Sequence, residues 1–155
     1  ILVPDSITGD GVSELQSLGL AVIIRDCEPR KVHHLKADGI HISRAAPVKN
    51  LRTTFKNEMI GVFAATSRHI AMEAAEAGAD YIAFSQKSQT TGEPIVGWWH
   101  DLAELPSVAF DAVTPKDLAT LLPQKPDFIR PGDDMWTNAQ MAKEMISALT
   151  AKLTA

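Results

Sequence analysis

The chain has 155 residues, 45% of them apolar and 22% charged, enough for one core and one domain over 1–155. A formal net charge of −4 and a pI near 5.7 exclude a nucleic-acid surface, which needs clustered Lys and Arg. No membrane-length apolar run or signal-peptide pattern is present, which leaves no membrane partner, and the single Cys27 excludes an internal disulfide, so the cytoplasm is the expected compartment.

Ile1-Leu-Val-Pro-Asp5 opens the chain as a short apolar strand. Because the sequence begins inside such a run, the barrel domain is expected to be N-terminally incomplete, without its first βα unit. Only 14 residues separate Asp5 from Leu20, tight for a loop, a helix and a loop, so residues are expected to be missing there too. Leu20-Ala-Val-Ile-Ile-Arg-Asp26 is the second strand, 27–37 a helix and 37–43 the third strand. A helix over 47–58 precedes the strand Ile60-Gly-Val-Phe-Ala-Ala65. The next helix starts at Thr66 or Ser67 as N-cap, turns Ile70, Ala71, Ala74 and Ala77 to one side, and ends at Gly78. Strands follow over 79–85, 107–113 and 126–132. Thr114 as N-cap, Pro115 at the first position and Asp117 in the first turn predict a helix after Val113. Met141, Met145, Ile146 and Leu149 share a face of a closing helix in 136–153.

Seven short, nearly continuous apolar runs fit parallel strands covered on both sides, and their alternation with helices predicts an α/β fold of βαβ units. Ala37-Asp-Gly-Ile-His-Ile-Ser43, Ala79-Asp-Tyr-Ile-Ala-Phe-Ser85 and Pro126-Asp-Phe-Ile-Arg-Pro-Gly132 repeat Asp, one residue, Ile, with 42 and then 47 residues between the aspartates. A period of two βα units accounts for this. An open doubly wound sheet and a closed (β/α)8 TIM barrel both accommodate it, and the regular repetition favours the barrel. Asp38, Asp80 and Asp127 are expected to tie turns into the strand that follows.

His41, mid-strand, is expected to pack in the core with one hydrogen bond, and His33, His34, His69 and His100 have no metal-ligand spacing. Cys27 is read as idle rather than reactive. Trp98 and Trp99 are expected to pack against the barrel or to form a homo-oligomer contact. Asp26, at a strand end, is read either as a functional carboxylate or as an ion-pair partner of Arg25 or Arg30. The polar run from Ser85 to Gly92 is read either as an anion-binding loop or as a plain loop.

Five segments, in order, resemble the thiamine phosphate synthase family. Ala21-Val-Ile-Ile-Arg-Asp26 is similar to its LIINDR strand, Lys36-Ala-Asp-Gly-Ile-His-Ile-Ser43 to GADGVHLG, Ile60–Ala65 to IGVSxH, Ala77–Ser85 to AGADYIGFG, and Leu105–Phe110 to IPVVAIGG. The resemblance implies a (β/α)8 barrel and a transferase of thiamine biosynthesis that couples a pyrimidine diphosphate to a thiazole phosphate and uses Mg²⁺. Its partner is then a small phosphorylated heterocycle. Carried over by position, Asp26 is the catalytic and metal-binding aspartate. Arg25, Ser43, Lys87, Thr90, Thr91 and Arg130 are the substrate-binding set. Arg25 replaces an asparagine of the family, and Lys87 stands in for lost positive charge.

Other positions depart from the family. Ser43-Arg-Ala-Ala46 replaces GQxD and has no carboxylate. Phe63 replaces a serine, and Gln89-Thr-Thr-Gly-Glu93 replaces PTxTK with Glu93 in the lysine's place. Asp111-Ala112 replaces a Gly-Gly pair, and Arg130-Pro-Gly-Asp133 replaces the VSS phosphate loop, where Pro131 removes an N–H. Nothing near Val3–Ser6 matches QxRxK. The expectation is therefore a divergent paralogue, a thiamine-phosphate-synthase-like transferase with weak or lost activity. The alternative is a non-catalytic phosphate-ligand-binding or regulatory protein on the same barrel.

Overall fold

A computed structural model of the chain describes residues 1–43, 48–85, 94–112 and 115–153. Strands and helices alternate throughout. The strands are β1 (Leu2–Val3), β2 (Ile23–Arg25), β3 (Gly39–Ile42), β4 (Met59–Ala65), β5 (Tyr81–Ser85), β6 (Ser107–Ala112) and β7 (Phe128–Pro131). The helices are α1 (Gly9–Ser17), α2 (Pro29–Leu35), α3 (Val48–Thr54), α4 (Arg68–Glu76), α5 (Ile95–Leu102), α6 (Pro115–Leu121) and α7 (Ala139–Leu153). The strand order in the sheet is β1 to β7, and β1–β2, β2–β3, β3–β4 and β6–β7 pair in parallel. This is the α/β architecture of the sequence reading, with seven strands among the described residues. Two compact units, Ile1–Ile82 and Ala83–Ala155, divide the chain.

In the first unit, α1 occupies the span between Asp5 and Leu20, which the sequence reading found tight for a loop, a helix and a loop. Nine helical residues rise only about 14 Å, so a helix with short turns fits the span. Thr8 caps it by accepting the Gly11 N–H at 3.2 Å, and Gly19 ends it at φ 79°. In α4 the N-cap is Ser67, whose hydroxyl accepts the Ile70 N–H at 3.2 Å, with Ala71 and Ala74 buried. The helix expected over 47–58 stops at Thr54, where Phe55 turns fully into the core. Ile24, Ile40, Ile60 and Val62 are fully or almost fully buried mid-strand residues, as strands covered on both faces require.

The repeated aspartates are structural, but each reaches back to the strand before it rather than forward. Asp38 Oδ2 accepts the Val22 N–H at 2.7 Å, and the Asp38 N–H donates to the Val22 carbonyl at 2.8 Å. Asp80 repeats the pair on Ile60 at 2.7 and 2.8 Å. In the second unit, Asp127 Oδ2 accepts the Ser107 N–H at 2.8 Å and its hydroxyl at 3.1 Å. The first amide of a parallel strand lacks a ladder partner on that side, and the carboxylate supplies one.

The second unit contains Phe84, Val96 and Trp99 in its core. Trp99 is 2% exposed, donates its indole N–H to the Leu105 carbonyl at 2.8 Å, and lies 5.7 Å from both Phe84 and half-buried Trp98, so packing accounts for Trp99. Pro115 begins α6 with Asp117 in its first turn, as expected, while Thr114 lies outside the described residues. Leu118, Met135 and Leu149 form a small cluster on which Ile129 packs. Among the described side chains of α7, Ala142 and Leu149 are buried and Ile146 is 42% exposed, while the side chains of Met141 and Met145 lie outside the description. No helix among the described residues is long and apolar enough to cross a membrane.

Candidate functional site

Ligand sites in parallel α/β folds form beyond the carboxyl ends of the strands. In the first unit that end of β2 carries Arg25 and Asp26, and that end of β3 carries Ser43. The β2–β3 register sets Arg25 opposite His41, and the ladder continues one step further, with the Asp26 N–H donating to the His41 carbonyl at 2.8 Å. Asp26 then turns into the left-handed region, φ 50°, which Asp tolerates better than most residues. The turn points its carboxylate back at β3, where Oδ1 accepts the Ser43 N–H at 2.7 Å. Partial burial pushes the Asp26 carboxyl upward. Hydrogen bonds from the Ser43 hydroxyl and N–H, with the charges of His41 and Arg25, outweigh this and hold it below the usual carboxylate range. The structure thus joins two of the expected residues, Asp26 and Ser43, by a hydrogen bond, and the charge of neighbouring Arg25 adds to what keeps the aspartate ionised.

Cys27 follows, and its thiol is pushed up to about 11, first by burial and then by the negative charge of Asp5. Asp5 in turn is paired with Lys31 at 2.9 Å. A thiol with that pKa is protonated at neutral pH, in keeping with an idle cysteine. Alkylation by iodoacetamide should be negligible at pH 8 and rise steeply above pH 10. Rapid labelling at pH 8, followed by mass spectrometry, would refute the assignment.

Behind Asp26, the mid-strand His41 is fully buried and its Nδ1 lies 2.9 Å from the Tyr81 hydroxyl, with the two rings stacked at 5.7 Å. Gly61 is the register partner of His41, and the Tyr81 ring occupies the space over it. Burial, then the Asp80 charge, raises the Tyr81 phenol well above its ordinary pKa, so it stays protonated. The sequence reading anticipated one hydrogen bond for His41 but not its partner, which lies 40 residues away.

In the second unit, β5 ends at buried Ser85, whose hydroxyl donates to Asp111 Oδ2 at 3.2 Å. The β6–β7 register skips from Phe110↔Arg130 to Ala112↔Pro131, leaving Asp111 as the extra residue of a bulge at φ 65°. That is the conformation glycine adopts most easily, so a glycine-like backbone persists here and carries a carboxylate. Arg130 lies with its guanidinium 4.9 Å from the centre of the Phe110 ring and is ion-paired with Asp133. Lys87, Thr90 and Thr91 lie outside the described residues, as do Arg44–Ala46 and Glu93.

A family model described as thiamine monophosphate synthase matches residues 12–129. The thiamine-phosphate synthase of Erythrobacter litoralis is 34% identical over 121 residues, 70% of this chain and 56% of that protein. That of Rhodospirillum centenum is 30% identical over 134 residues, 80% of this chain and 64% of that protein. The chain therefore spans less than two thirds of these relatives. Among solved structures, a thiamine phosphate pyrophosphorylase from Pyrococcus furiosus superposes with a TM-score of 0.75 at 16% identity, covering 97% of this chain and 82% of that one. Phosphoribosyl anthranilate isomerase from Thermus thermophilus superposes with a TM-score of 0.67 at 13% identity, covering 99% and 86%, a likeness of fold. On the match over 12–129 and these relatives, the chain belongs to the thiamine monophosphate synthase family.

Proposed function

We propose that this chain is a thiamine-phosphate-synthase-like transferase module. In this reading it keeps the aspartate that handles a pyrimidine diphosphate and has weakened or lost coupling to a thiazole phosphate. The observation that carries this is Asp26, held ionised at the carboxyl end of β2 by Ser43. The seven strands are read as seven of the eight βα units of a closed barrel, one domain over 1–155, working in the cytoplasm.

The residues also bear on Mg²⁺. Among the described residues no three His, Cys, Asp or Glu side chains gather into a metal cage. Mg²⁺ shared with substrate phosphates needs only one or two protein carboxylates, so Asp26 fits as the single protein ligand. When bound, the ion would neutralise charge that builds on the leaving diphosphate. The chain's own part is binding and orientation. Arg25, the neighbour of Asp26 in sequence, adds positive charge at this strand end, and Ser43 offers a hydroxyl at the next. Lys87, Thr90 and Thr91 enter on the family resemblance alone. Asp111 supports the loss of coupling, because it puts negative charge where the family pattern has glycine.

Titration of pyrophosphate in the presence of Mg²⁺, followed by calorimetry, tests the reading. Asp26→Asn should weaken Mg²⁺-dependent binding by ~10-fold or more, the scale of one charge-assisted contact, while leaving the melting temperature close to the parent's. Equal binding by parent and variant would sink it. Robust formation of thiamine phosphate by the parent protein would sink the claim of weakened coupling. Binding of the diphosphate with no turnover at all would favour the second reading, a non-catalytic phosphate-ligand-binding protein.

A further inference from the structure

We infer that Asp133 is a specificity-determining residue, an internal anion seated on Arg130 that excludes phosphate from the carboxyl end of β7. The inference rests on the reading above that strand carboxyl ends are the ligand-facing ends. Arg130 is the last arginine of the chain and stands at such an end. A guanidinium there is by chemistry a phosphate or carboxylate receptor, with planar N–H donors matched to paired oxygens.

The receptor is already filled. Arg130 has only 18% of its side chain exposed, one face lies on Phe110 at 4.9 Å, and Nη2 donates to Asp133 Oδ1. The occupant is held by its backbone. Pro131 limits the chain between the two residues, and the Gly132 carbonyl accepts the Met135 N–H at 3.1 Å. Met135 is buried with Leu118 and Leu149, which anchors the 3₁₀ turn Asp133–Thr137 that starts at Asp133. Little entropy is then lost in keeping the carboxylate on the guanidinium, and an incoming phosphate competes with a tethered rival. Asp111 adds a second negative charge one residue beyond Phe110, the register partner of Arg130. A dianion meets repulsion at this end, so the group accepted there is uncharged or carries a hydroxyl in place of phosphate.

Inorganic phosphate, titrated without metal and followed by ³¹P NMR at fixed ionic strength, is the direct probe. Asp133→Ser should tighten phosphate binding ~3-fold over the parent, within the range of an ion pair whose carboxylate is 66% exposed. Asp133→Ser combined with Arg130→Met should return it to the parent's level. Asp133→Asn, nearly isosteric, serves if the serine variant fails to fold. Parent binding as tight as either variant's overturns the inference, as does a gain that survives loss of Arg130. Because the readout needs neither Mg²⁺ nor Asp26, its failure is distinct from failure of the Asp26→Asn test.

Discussion

Gly61→Ala should destabilise the protein by about 3 kcal/mol or leave it unfolded, the upper range for overpacking a well-filled core. A Cβ at Gly61 would stand 1.9 Å from Tyr81 Cζ, 2.2 Å from its hydroxyl oxygen and 2.4 Å from Cε2, distances that side chains do not reach. The ring has little freedom to yield, because its hydroxyl is bonded to His41 at 2.9 Å and its face is stacked on the imidazole. Moving it would strand a hydroxyl at a fully buried histidine, which adds about 1 kcal/mol. A chain of this size loses roughly 2–4 °C of melting temperature per kcal/mol, so a fall on the order of 6–12 °C should appear in a thermal melt. Gly61→Ala with Tyr81→Ala should cost less than the sum of the single changes, since the clash vanishes with the ring. A Gly61→Ala protein within about 0.5 kcal/mol of the parent would mean that Tyr81 does not lie over Gly61.

Asp80→Ala should cost about 2–3 kcal/mol, most of it from a single stranded amide. The Ile60 N–H lies at the start of β4, Ile60 is fully buried, and Asp80 Oδ2 is its acceptor at 2.7 Å. The same oxygen meets Arg52, but that pair is 28% and 42% exposed, and exposed pairs contribute only about 0–1 kcal/mol. Arg52 also donates to the Gly78 carbonyl at 2.8 and 3.0 Å and to the Glu58 carbonyl at 3.1 Å, so it remains bound without Asp80. Arg52→Ala should therefore cost less than Asp80→Ala, and Asp80→Asn, which keeps an acceptor oxygen, should fall between parent and alanine. Urea denaturation of the three variants gives the ranking, and faster hydrogen exchange at the Ile60 amide identifies the cause. If Asp80→Ala costs less than about 1 kcal/mol and leaves exchange at the Ile60 amide unchanged, the ion pair and not the amide is what Asp80 provides.

Much of the fold was readable because its signals are local. Apolar runs marked the strands, the serine and the Gly78 around 67–78 marked a helix and its end, and Pro115 with Asp117 marked the start of another. The helix in 9–17 was not assigned because 14 residues were judged tight for a loop, a helix and a loop, although turns of a few residues leave room for nine helical ones. At the candidate site, Asp26, Arg25 and Ser43 were identified through the family pattern. That pattern did not show that Ser43 holds Asp26 ionised, since the bond joins residues 17 apart on neighbouring strands.

The sequence by itself determined the periodicity, the order of the strands with most of the helices between them, and the chemical types at the strand ends, because these depend on residues within a few positions of one another. The tertiary structure alone decided what the aspartates bind. Asp38, Asp80 and Asp127 reach amides 16 or 20 residues earlier, which are close only because parallel strands lie side by side. It likewise decided that Tyr81 needs Gly61 bare, and that Arg130 lies on Phe110 while paired with Asp133. An arginine at a strand end announces a cation in any sequence; whether its charge is open to a ligand depends on which carboxylate the folded chain brings against it.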